Sequence, residues 1–167
     1  TYLATIQFEN DCIIQITLSF DVVADQRNHI ELYGNKGSII VPDPNMFGGS
    51  AFVSVTAGGN WGEHKTDTMP LGKINIKSQS SRANESPTNA NYRGAGLSEM
   101  AFAIENNLEH RCNGELSLHV LDIIDSTMRA SQTGIPQEIK TTCKKPKPFT
   151  LDCLLYTSDA ADEAKCV

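Results

Sequence analysis

Three side chains have types and neighbours that chemistry could use. His119 has Glu115 one helical turn before it and Asp122 three residues after it, so on a helix both carboxylates stand near the imidazole and favour its charged form. It is a candidate general acid or substrate hydrogen-bond partner, the alternative being a solvated polar face. Arg93, just before Gly94-Ala95-Gly96, is a candidate clamp for a hydroxyl-rich or anionic ligand, against a structural salt bridge. Trp61, beside Gly58-Gly59-Asn60 and Gly62, offers a flat ring that stacks on a sugar or simply buries an edge. His110 and Arg111 close a turn between two helices. Asp122 and Asp125 read as surface charges, with Asp125 spaced to pair with Arg129 at i,i+4.

Other chemistries are excluded by what stands in their place. Gly94-Ala95-Gly96 opens a helix but puts Glu99 where a dinucleotide fingerprint needs its third glycine, and an acid there repels a pyrophosphate. The turn therefore reads as a helix entry whose glycines permit close packing. No phosphate loop, nucleophile elbow or zinc-protease motif occurs. The 5 cysteines are irregularly spaced, with no CxxC pair and no Cys/His cluster, so they read as reduced structural thiols in a cytoplasmic setting, with no metal site. No catalytic, cofactor-binding or metal-ligating residue is assigned.

The elements that must position these side chains follow from periodicity. Cys12 to Phe20 alternates apolar and polar, and Thr5 to Phe8 precedes it across Glu9-Asn10-Asp11, which predicts an antiparallel hairpin. His29 to Tyr33 and Ser38 to Val41 flank Gly34-Asn35-Lys36-Gly37, whose glycines permit the positive φ of a tight reversal. Ala51 to Thr56 and Glu63 to Met69 are weaker strands, and Ser78 to Asn91 reads as a long loop. Leu97, Met100, Ala101, Ile104 and Leu108 predict an amphipathic helix starting near Gly96. A second helix is capped by Asn113, lined on one side by Leu116, Val120, Ile123, Ile124 and Thr127, and ended by Gly134. Residues 137 to 142 are expected to add a last strand. Strands first and helices afterwards make the fold class α+β: a mostly antiparallel open sheet with helices on one face and the other face in need of a partner.

Length and charge bound the answer further. A chain of 167 residues holds one domain with a sizeable core. Its net charge of -6 argues against a nucleic-acid footprint, and no stretch has the apolar length of a membrane span.

The blocks from His29 to Asn45, from Tyr92 to Ala101 and from His110 to Leu121 resemble, in order and spacing, the C-terminal domain of the Gfo/Idh/MocA oxidoreductases, the relatives of glucose-fructose oxidoreductase and inositol dehydrogenase. The resemblance covers residues 1–149. It implies an NAD(P)-dependent oxidoreductase acting on sugars, cyclitols or related polyols. NAD or NADP would be bound by a preceding dinucleotide-binding domain, and a homo-oligomer would form through the open sheet face. The family's Lys-Pro motif and its active-site helix are not found between Thr1 and Val167, so the chain is expected to be an N-terminally truncated fragment, inactive alone, with Arg93 and His119 as substrate-binding residues. Residues 150–167 read as a non-native or disordered tail, because Cys153 to Glu163 looks like a translated sequencing adapter. The rival reading is a non-enzymatic carbohydrate-binding or structural α+β module built around Trp61.

Overall fold

The computed structural model describes residues 1–75, 89–90, 92 and 94–149. These fall into two units, one of Thr1–Arg27 with Gly114–Lys144, the other of Asn28–Asn113 with the residues from Lys145 onward.

In the first unit, β1 (Tyr2–Gln7) and β2 (Ile13–Leu18) form the expected antiparallel hairpin. The turn is built as its residues dictate: the Cys12 amide donates to Asn10 Oδ1 at 3.2 Å and Asp11 takes a left-handed φ of 63°. Side chains directly opposite one another share a face. Tyr2, Ala4 and Ile6 thus join Leu18, Ile16 and Ile14 on one apolar face, with Leu3, Thr5, Gln7, Ile13, Gln15 and Thr17 on the other. The second helix of the chain, running Gly114–Thr133, belongs to this unit. It ends at Gly134, whose φ of 69° and amide bond to the Ala130 carbonyl at 2.8 Å make a left-handed cap.

The second unit holds a four-stranded meander of β3 (Ile30–Gly34), β4 (Gly37–Val41), β5 (Ser50–Ser54) and β6 (Gly62–Lys65), antiparallel throughout. Its register places Ile30, Leu32, Ile39, Val41, Ala51, Val53 and His64 on one face and Glu31, Tyr33, Ser38, Ile40, Ser50, Phe52, Ser54 and Glu63 on the other. The apolar face is half open: Leu32 is 54% exposed. β7 (Ile74–Asn75) and β8 (Asn89–Ala90) add a short parallel pair. α1 (Ala95–Glu105) follows, and the Gly114–Thr133 helix is α2.

Strands in antiparallel sheets together with two helices make this an α+β protein. Several local expectations change. The strands are divided among separate sheets instead of one open sheet. The last of the four meander strands stops at Lys65, because Thr66 turns the chain and its carbonyl accepts the Met69 amide at 2.8 Å. In the β3–β4 turn, Gly34 pairs with Gly37, and of the two glycines only Gly37 has a positive φ, 159°. Glycine serves close approach there, since a Cβ on Gly37 would lie 3.0 Å from the Ser54 carbonyl oxygen. The Ser78–Asn91 loop lies outside the described residues except at Asn89–Ala90.

Helix faces are rotated from those the apolar pattern suggests. On α1 the buried line is Ala95, Glu99 and Ala103, while Leu97 and Ile104 are 75% and 66% exposed. On α2, Leu116, Ile123 and Thr127 are half-buried as expected, but Val120 and Ile124 are exposed and Ser126 is buried. Polar anchors decide both rotations.

Candidate functional site

His119 lies on α2, half-buried, with its Nδ1 3.0 Å from Thr141 Oγ1. The Thr141 hydroxyl donates its one hydrogen to Asp122 Oδ2 at 3.0 Å. Its oxygen is then left to accept from His119 Nδ1, and Nε2 takes no part in this network. Asp122 Oδ2 also accepts the backbone amides of Lys140 and Thr141 at 2.9 and 3.0 Å, and Oδ1 accepts from Ser126 Oγ at 3.3 Å.

These bonds hold the Asp122 carboxyl below the ordinary carboxylate range. The Thr141 amide acts most strongly and the Thr141 hydroxyl next; partial burial opposes them, and the Lys140 amide and Ser126 hydroxyl contribute the rest. Asp122 is thus no idle surface charge. It tethers the chain after α2 and turns the 119/122/126 side of the helix inward. The strand expected over residues 137–142 does not form, because the amides of Lys140 and Thr141 are spent on this carboxylate instead of a ladder. Asp125 does behave as a surface charge, pairing with Arg129 at 2.7 Å.

Arg93, the other substrate-binding candidate, lies outside the described residues. The turn that follows it does not fit a dinucleotide. Glu99 is only 4% exposed, and its carboxylate is held by Arg111 Nη1 at 2.7 Å, leaving neither a glycine nor an open amide cradle where a pyrophosphate would rest. A Cβ at Gly94 or Gly96 would meet nothing within 4 Å, so close packing is not what these glycines serve among the described residues. Arg111 also donates to the Lys147 and Pro148 carbonyls, both at 2.8 Å, and lies 4.6 Å from the centre of the Phe149 ring. It is a clasp between α1 and residues 147–149, a role that its place in a turn does not announce. The buried Nδ1 of neighbouring His110 has no hydrogen-bond partner among the described residues.

Trp61 lines an open hollow of about 350 Å³ with the β3–β4 turn and the residues just before β6. No group of three or more His, Cys, Asp or Glu among the described residues is placed to hold a metal ion. Sequence reasoning missed Thr141, for which no periodic or motif signal exists; the spacing of His119 and Asp122 was the only clue that a polar cluster formed there.

No curated protein and no solved structure matches the chain significantly. Residues 1–139 match the model of an oxidoreductase family's C-terminal alpha/beta domain. With most of its length in that match, the chain belongs to the Gfo/Idh/MocA oxidoreductases, as their C-terminal domain.

Proposed function

We propose that this chain is the substrate-binding and oligomerisation domain of an NAD(P)-dependent oxidoreductase acting on a sugar, cyclitol or related polyol. Family membership carries the reading. The nicotinamide cofactor would sit on a dinucleotide-binding domain outside residues 1–167, in keeping with the poor fit of the Gly94 turn. Hydride transfer needs a nicotinamide against the carbinol carbon and a base for the hydroxyl proton; neither role is assigned to a residue of this chain, and alone it does not turn over substrate.

His119 and Arg93 are the proposed substrate contacts. The geometry supports His119, because Thr141 engages only Nδ1 and leaves Nε2 outside the network to hydrogen-bond a hydroxyl, the group that polyols have in abundance. Association of copies through the apolar face of the β3–β6 sheet is supported by the exposure of Ile30, Leu32 and Ile39 at 38%, 54% and 36%. A reducing, cytoplasmic setting is supported by Cys12, Cys112 and Cys143, which are free thiols. Among the described residues no helix is long and apolar enough to cross a membrane.

Reading the gene upstream of the codon for Thr1 tests the proposal. A strand, a Gly-rich turn, a helix and then a Lys-Pro motif are expected; a start codon or an unrelated domain there overturns it.

A further inference from the structure

The hollow beside Trp61 is independent of the substrate reading above. Its 350 Å³ lies at the small end of the roughly 300–1,000 Å³ that ligand sites occupy. It forms because two glycines let backbones approach: a Cβ on Gly37 would lie 3.0 Å from the Ser54 carbonyl oxygen, and one on Gly59 would lie 2.8 Å from Thr56. Any side chain at either place would push the β3–β4 turn or the β5–β6 loop out of position.

What lines the hollow selects its ligand. Trp61, 42% exposed, supplies an aromatic surface open to solvent. Asn35, Ser54 and Thr56, residues that carry amide and hydroxyl groups, line it, and Lys36, on the tip of the turn, is the one cationic residue among its lining. No Asp or Glu lines it, although the chain carries a net charge of -6. A hollow with one cation and no acid repels metal ions and attracts anions. An aromatic face with hydroxyl and amide groups at its rim suits a ring that is apolar on one side and hydroxylated at its edge. A pyranose has that shape, and the volume holds one such ring.

We propose that this hollow binds a monosaccharide carrying an anionic group, with its ring stacked on Trp61 and its carboxylate or phosphate held by Lys36. Trp61 is the single tryptophan of the chain, so its fluorescence reports occupancy directly. The full chain is titrated with glucuronate, glucose 6-phosphate, glucose and adenosine monophosphate. A saturable change with glucuronate or glucose 6-phosphate is expected, at a Kd of about 1 mM, and whichever of the two binds tighter identifies the anionic group. Lys36→Met, at an exposed turn, should weaken that binding at least about tenfold, to the level of glucose. Trp61→Ala, followed by ligand-observed NMR, should abolish it.

No saturable change with either anionic sugar overturns the proposal. So does glucose binding as tightly as they do, binding untouched by Lys36→Met, or a preference for the nucleotide. Neither failure bears on the oxidoreductase reading, whose test lies in the upstream gene.

Discussion

Arg111 Nη1 stands 2.7 Å from Glu99 Oε1, and the two side chains are only 21% and 5% exposed. The Arg111 amide faces both oxygens of the same carboxylate at 3.3 Å. A charge so enclosed survives only with its partner in place. Because the guanidinium also donates to the Lys147 and Pro148 carbonyls, one residue closes α1 against the chain beyond α2.

Arg111→Met should therefore cost about 3 kcal/mol, as leaving one buried charge unpaired typically does, read as a lower midpoint in urea. Replacing both partners, Glu99→Leu with Arg111→Met, should recover most of that loss. In both variants the bonds from Arg111 to Lys147 and Pro148 are gone, so amide hydrogen exchange over residues 147–149 should rise above that of the parent chain. Equal stability of the single and double variants would contradict this account.

Asp122 gives a pH dependence whose sign follows from its lowered carboxyl pKa. A carboxyl held lower in the folded chain than its ordinary value of about 3.9 stabilises at neutral pH. That contribution is complete above the unfolded value and disappears as pH falls through the folded one. Asp122→Asn should thus be less stable than the parent at pH 7, with the gap closing as the solution is taken below about pH 3.9. Thermal melts across that range measure it, and a gap independent of pH would show that the carboxylate charge is not what holds Thr141.

The Thr66 side chain ties its turn to two other backbone segments of the second unit, at Gly49 and Gly72. Its hydroxyl donates to the Gly72 carbonyl at 2.7 Å and approaches the Gly49 carbonyl at 3.0 Å, and it accepts the Gly49 amide at 3.1 Å. Thr66→Val keeps the shape and removes all of this, at a cost of about 1–3 kcal/mol for the groups left unpaired, whereas Thr66→Ser should retain most of the stability. Gly72→Ala should be worse than either, since its Cβ would overlap the Thr66 carbonyl, a backbone group with no freedom to retreat. Chemical denaturation of the three variants gives the order.

If copies of the chain associate through the apolar sheet face, Leu32→Lys should weaken that association more than tenfold while leaving the monomer folded, because Leu32 is already 54% exposed. Sedimentation at several concentrations, with circular dichroism of the same samples, separates loss of assembly from loss of fold. A parent chain that sediments as a monomer at every concentration would remove the oligomer from the proposal.

The hairpin of β1 and β2, the β3–β4 reversal, both helices and the glycine end of α2 were all legible in the sequence, because each follows from side chains one to four residues apart. Local periodicity also marked Leu97, Ile104, Val120 and Ile124 as core, and here tertiary structure decided otherwise. Glu99 meets Arg111 across 12 residues and Asp122 meets Thr141 across 19; satisfying those carboxylates fixes how each helix turns, and the apolar stripe must accept the result. The same reason hid the candidate site. His119 was visible by its type and its acidic neighbours, but the proton on its Nδ1 depends on a threonine 22 residues away, brought there by backbone amides that no pattern of side chains records.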